Sequence, residues 1–91
     1  MPVMVRIPPI WAKHAANRRD FALSGATVRE LLANLAAECP ELQERLYDSD
    51  GRITPAVAVF VNHDSINRLD GPDTPVADGD RVMLLMATAG G

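Results

Sequence analysis

The residues best placed to do chemistry stand at the end of the sequence, where Gly90 and Gly91 carry a terminal carboxylate with no side chain beside it. A C-terminal carboxyl ionises near about pH 3.3–3.7, so at neutral pH it is an anion and a potential nucleophile. Glycines have no Cβ, so such an end threads a narrow tunnel and takes backbone angles closed to other residues. With Gly near 7% of residues, a chain ends in Gly-Gly by chance roughly once in 200, which makes the functional reading the stronger one.

The other reactive side chains carry less. Cys39 is the single cysteine, which excludes an internal disulfide and any cluster needing several thiolates from one chain. It falls at the end of a helical pattern, where the negative end of the dipole disfavours a thiolate, and it continues an apolar stripe; it reads as a structural thiol. His14 and His63 are far apart and no Cys or His stands at metal-ligand spacing, so no metal is expected. Asp48, Asp50 and Asp64 read as solvated loop and turn residues, and Trp11 as a packing residue. Among these residues no catalytic set emerges. The glycines are scattered in turns, with no Gly-rich loop followed by Lys and Ser/Thr to cradle phosphates. No cofactor is expected to be bound.

Composition narrows the partners. A chain of 91 residues with 47% hydrophobic and 23% charged content is one small domain, and it leaves little room for a deep pocket. Nine basic residues against twelve acidic ones give a net charge of −3. No Lys/Arg stripe runs along any segment, so nucleic acid and anionic membranes are poor partners, and a basic protein surface is a better one. No apolar run nears the ~20 residues of a membrane span, and the sequence opens without a signal-peptide pattern; the expectation is a cytoplasmic protein.

The elements that must position the terminus follow from periodicity. Val3, Val5 and Ile7 alternate with Met4 and Arg6 until Pro8-Pro9, predicting a strand. Trp11 to Asn17 has no period and reads as a loop or turn. Arg19 to Leu23 is a second strand with Phe21 and Leu23 on one face. Val28, Leu31, Leu32, Leu35, Ala36 and Cys39 form one helical stripe, with Thr27 and Glu30 as a capping box and Pro40 as the stop. Glu41 to Leu46 adds a helical turn. Ala56 to Val61 is a third strand with Val57, Val59 and Val61 inward. Asn62 to Asp64 is a turn, Ser65 to Leu69 a short edge strand and Gly71 to Pro75 loop. After the turn Asp78-Gly79-Asp80, Arg81 to Met86 is apolar on both faces and belongs in the middle of the sheet, beside the first strand. If Val82, Leu84 and Met86 face the helix, Met83 and Leu85 share the opposite face with Ala58 and Phe60. Phe60, Met83 and Leu85 are therefore the expected partner-docking residues. Residues 1–86 are expected to form the domain and residues 87–91 a mobile tail. Extended, the tail reaches at most about 16–18 Å.

Four features in this order carry a family resemblance: the capped helix, Val59-Phe60-Val61-Asn62 ending a strand, Asp78-Gly79-Asp80-Arg81-Val82 opening the last strand, and Gly90-Gly91. Together they resemble the β-grasp sulfur carriers, the family of the molybdopterin synthase small subunit and the thiamine-pathway carrier. The resemblance implies an α+β, ubiquitin-like β-grasp fold, with a mixed four- to five-stranded sheet and one main helix on one face. It also implies a non-catalytic carrier. A separate ubiquitin-activating-type adenylating enzyme would use ATP to adenylate the Gly91 carboxylate, with Ala89 and Gly90 threading its tunnel, and a sulfur donor would convert the adenylate, an activated ester, to a thiocarboxylate. A sulfur-accepting enzyme, cysteine-synthase-like or the molybdopterin synthase large subunit, would then receive the sulfur. Molybdopterin synthase small subunits commonly show Pro-Pro shortly before the terminal glycines, where this chain reads Leu85-Met86-Ala87-Thr88-Ala89. That ending looks more like carriers serving cysteine or related sulfur-metabolite biosynthesis. The molybdopterin role and a ubiquitin-like modifier joined to lysines through Gly91 remain the alternatives.

Overall fold

The computed structural model describes residues 2–87. Five strands form one mixed sheet: β1 (Val3–Arg6), β2 (Asp20–Leu23), β3 (Val57–Val61), β4 (Asp64–Ser65) and β5 (Arg81–Met86), in the order β2-β1-β5-β3-β4. β5 lies centrally, parallel to β1 and antiparallel to β3. A parallel neighbour requires a crossover, and the chain between β2 and β3 supplies it with α1 (Val28–Glu38) and α2 (Gln43–Leu46).

The alternation of each strand decides which face meets the helix. Val3, Val5, Phe21, Leu23, Val57, Val59, Val82 and Leu84 are buried in one core with Val28, Leu31, Leu32 and Leu35 of α1. Each fully buried aliphatic side chain contributes about 1.5–3 kcal/mol relative to exposure, which is what offsets the ordering of so short a chain. Trp11 joins this core and is a packing residue.

α1 begins as its capping signal requires, with the Thr27 side chain accepting from the Glu30 N–H at 3.2 Å. The reciprocal half of the box is displaced by one residue: the Glu30 carboxylate accepts from the Ala26 N–H at 2.9 Å. Val28 N–H donates to Thr74 C=O and Val76 N–H to Ala26 C=O, so the chain enters α1 extended against residues 74–76. Pro40 ends the helix, and the Cys39 N–H still reaches Leu35 C=O at 2.8 Å.

Three expectations are corrected. Residues Pro9–His14 form a 3-10 helix, with proline in its first turn where no N–H is needed, and Ala16 and Asn17 then turn the chain with φ of 53° and 64°. The edge strand is Asp64–Ser65 and does not reach Leu69. The Ser65 hydroxyl accepts from Asn67 N–H, and Ile66–Arg68 coils into a 3-10 turn that drops Ile66 into the core. Burying that side chain pulls the backbone off the sheet edge. Lastly, Met86 does not share the burial of Val82 and Leu84; it is 44% exposed, because the covered layer ends at Leu84.

Candidate functional site

The side of the sheet opposite α1 carries the candidate docking residues. Phe60 stands opposite Met83 and Ala58 opposite Leu85 in the β3–β5 register, while the parallel register sets Arg6 beside Met83 and Met4 beside Arg81. Met4, Met83 and Leu85 remain 41%, 39% and 41% exposed, and Phe60 is half-buried. Among the described residues no segment seals this face. Its side chains border a shallow trough of about 290 Å³, apolar along Met4, Phe60, Met83 and Leu85, with Arg6, Asp20, His63 and Arg81 also lining it. Arg6 holds Asp20 through two bonds, Nε to Oδ1 at 2.8 Å and Nη2 to Oδ2 at 3.0 Å. The guanidinium keeps the Asp20 carboxyl below the usual carboxylate range. Two flexible methionines around an aromatic ring suit a surface that fits partners of different shape.

Both ends of β5 are fixed. At its start Asn62 takes a left-handed conformation, φ 57°. Its backbone N–H donates to Arg81 C=O at 2.7 Å. The Arg81 N–H donates to Asn62 Oδ1 at 3.1 Å, and Asn62 Nδ2 donates to Asp80 Oδ1 at 3.3 Å. Gly79, at φ 89°, makes the preceding turn, where a side chain would be strained. At its end the Ala87 N–H donates to Ala56 C=O at 2.8 Å. The described chain therefore ends one residue beyond the central strand, at Ala87. Ala89, Gly90 and Gly91, the threading and modification positions, lie outside the described residues, as do the remaining tail residue Thr88 and Met1.

Cys39, Asp48 and His14 lie outside the trough. The Cys39 thiol is half-buried, and burial, followed by Glu38, pushes it above the ordinary thiol range against the opposing pull of Arg18. A thiol so placed is a poor nucleophile at neutral pH. Asp48 Oδ1 accepts from the N–H groups of Asp50 and Arg52, organising its own turn. His14 Nδ1 lies 3.4 Å from Glu41 Oε1. Among the described residues no group of three His, Cys, Asp or Glu could hold a metal ion, and no helix is long and apolar enough to cross a membrane.

Met4 is the member of the trough that the sequence reading did not name. Its signal was present, because Met4 alternates with buried Val3 and Val5 and its strand was expected beside β5. The lining Arg6, His63 and Arg81 needed the registers themselves.

Comparison with known proteins decides the family. The ThiS family model matches residues 12–91. This chain belongs to the ThiS family. Over 93 aligned residues that span the whole of both chains, the ThiS-family chain is 36% identical to the Mycobacterium tuberculosis sulfur carrier protein CysO. It superposes with a TM-score of 0.87 on a chain of the Amycolatopsis orientalis BexX/CysO complex, at 29% identity, covering 98% of this chain and 99% of that one. The small archaeal modifier protein 3 of Haloferax volcanii is 41% identical over 66 residues, 72% of this chain and 71% of that protein. The fold is thus the ubiquitin-like β-grasp.

Proposed function

We propose that this ThiS-family chain is a sulfur carrier whose Gly91 carboxylate is the working group. The observation that carries the reading is the full-length match to a sulfur carrier protein, on a fold whose last strand is the central one and which carries an open apolar face. A carboxylate oxygen of Gly91 attacks the α-phosphorus of ATP, and pyrophosphate leaves. A sulfur nucleophile then attacks the acyl carbon and AMP departs, leaving a thiocarboxylate. ATP is held by the partner, a ubiquitin-activating-type adenylating enzyme, and the chain is its protein cosubstrate, not its catalyst.

Phe60, Met83 and Leu85 dock that enzyme, and Ala89 and Gly90 thread its tunnel. The acceptor is a cysteine-synthase-like enzyme that takes the sulfur for cysteine or a related metabolite; this rests on the likeness to CysO and on the absence of Pro-Pro before Gly90. An end without Pro-Pro suits the molybdopterin synthase large subunit less well. A second reading, a modifier joined to lysines through Gly91, is favoured by the likeness to the archaeal modifier protein. Mass spectrometry of extracts separates the two: free thiocarboxylate at Gly91 supports the carrier, and Gly91–lysine adducts support the modifier.

A further inference from the structure

A second concavity, larger than the trough, lies on the other side of β3 and takes no part in the steps above. It is an open groove of about 590 Å³. Its cause is the shortness of β4, whose two residues pair only with Phe60 and Val61 and leave the first half of β3 as a bare sheet edge.

The phase of the ladder shows what that edge presents. Ala87 N–H bonds to Ala56 C=O, and Asn62 N–H to Arg81 C=O. In an antiparallel pair bonded positions alternate, so Ala56, Ala58, Phe60 and Asn62 face β5, while Val57 and Val59 turn their backbone groups to the groove. The Val57 N–H is taken by Thr54 C=O at 3.2 Å. Val57 C=O and Val59 N–H belong to the non-bonded positions of the β3–β5 ladder and so point away from β5, and β4, which pairs only with Phe60 and Val61, does not reach them. A carbonyl and an N–H two residues apart are what one residue of a parallel strand engages, N–H to the first and C=O to the second.

The side chains set the chemistry of the guest. Tyr47, Ile53, Ile66 and Pro72 give apolar walls, and among the described residues the charged ones lining the groove are Arg29 and Arg52, with no Asp or Glu, although the chain carries twelve acidic residues against nine basic. Arg29 is shared with Asp73 at 3.1 Å. The exposed Arg52 guanidinium makes no hydrogen bond or ion pair among the described residues.

We propose that this groove binds an extended, acidic segment of a partner protein, added as a parallel strand to β3 with its carboxylate at Arg52. Strand addition supplies main-chain bonds and the pockets select the side chains. The proposal is independent of sulfur chemistry, since a chain that never accepted sulfur would present the same edge.

The test uses the full, isotope-labelled chain and a short acetylated, amidated peptide alternating valine with glutamate. Two further peptides serve as controls, one with lysine for glutamate and one with its central amide N-methylated. Amide shifts are expected at Val57 to Val59 and Ile53, with slowed exchange of the Val59 N–H. The glutamate peptide should bind at least about fivefold more tightly than the lysine peptide, the scale of one exposed charge pair, and N-methylation should weaken it. Arg52→Glu, on an exposed side chain, should reverse the charge preference without altering the melting temperature. Equal binding of the two charges, shifts confined to the Met83–Leu85 face, or unchanged Val59 exchange would overturn the proposal. So would an occupant from the protein itself. In that case removing residues 88–91 would shift Val59 without peptide and raise peptide affinity, or the Val59 shift would depend on protein concentration.

Discussion

The Ala87 N–H donates to the Ala56 carbonyl at 2.8 Å, one residue beyond the end of β5. Sheet pairing thus fixes the point from which residues 88–91 depart, and four extended residues carry the Gly91 carboxylate at most about 13–14 Å from it. Removing Gly91, or adding one residue after it, displaces the carboxylate by about 3.3 Å. A misplacement of ~1 Å at a reacting centre can cost 100-fold, so both variants should lose at least that factor in adenylation while their melting temperature stays unchanged. Single-turnover adenylation and thermal melts on the same samples check it; normal turnover by either variant would show that the end is idle.

Phe60 and Met83 face one another across β3 and β5 on the open side of the sheet. Met83→Glu puts a charge at the centre of the apolar trough. The side chain is 39% exposed, so stability should change by no more than about 0.5 kcal/mol. Loss of a docking anchor of about 2 kcal/mol should raise KM for the activating enzyme roughly 30-fold with little change in kcat. Pyrophosphate exchange measured against carrier concentration separates the two parameters.

Asn62 pins the start of β5 with its side chain while its backbone sits at φ 57°. Asn62→Ala removes the side-chain bonds to Arg81 and Asp80 and leaves a poorly tolerated residue in the left-handed region. Together these cost about 2–3 kcal/mol, a fall of roughly 10–20 °C in Tm for a domain of this size. Asn62→Gly relieves the strain and should recover about 1 kcal/mol of it. Denaturant melts of the pair are sufficient, and an Asn62→Gly variant no more stable than Asn62→Ala would remove strain from the account.

Burial raises both the Cys39 thiol, ordinarily 9.0, and the Tyr47 hydroxyl, ordinarily 10.0. Each is an acid whose neutral form the fold prefers. The stabilisation is therefore complete below the unfolded values and is lost as pH rises through the folded ones. Stability should be flat in these two groups near neutrality and decline above about pH 9, read as a falling denaturant midpoint. Because the sulfur is proposed to ride on Gly91, Cys39→Ala should load normally. Loss of loading in that variant would move the chemistry to the thiol.

Much of this architecture was legible because side-chain period and local signals agree. The stripe from Val28 to Ala36, the cap at Thr27, the stop at Pro40 and the doubly apolar Arg81–Met86 segment each have one physical solution. The misreadings arose where one tertiary contact outweighed the local pattern. Ile66 left the sheet edge to reach the core, and Met86 continued an alternation beyond the layer that covers it. The groove beside β3 was invisible for the same reason: it exists because β4 stops after two residues, and Arg29 and Arg52 come together only through the crossover. The outer trough was half legible. Alternation assigned Phe60, Met83 and Leu85 to one face, but adding Arg6, His63 and Arg81 to its lining required the pairing registers.

The central claim is that sulfur is carried on the Gly91 carboxylate. Its most direct measurement is the intact mass of the purified chain after incubation with an adenylating enzyme of the ubiquitin-activating type, ATP and a sulfide source, beside a chain lacking Gly91. The account predicts the mass increase of one sulfur replacing one oxygen, localised to Gly91 by fragmentation, and none in the shortened chain. No exchange in the full chain, or the same exchange without Gly91, would contradict it.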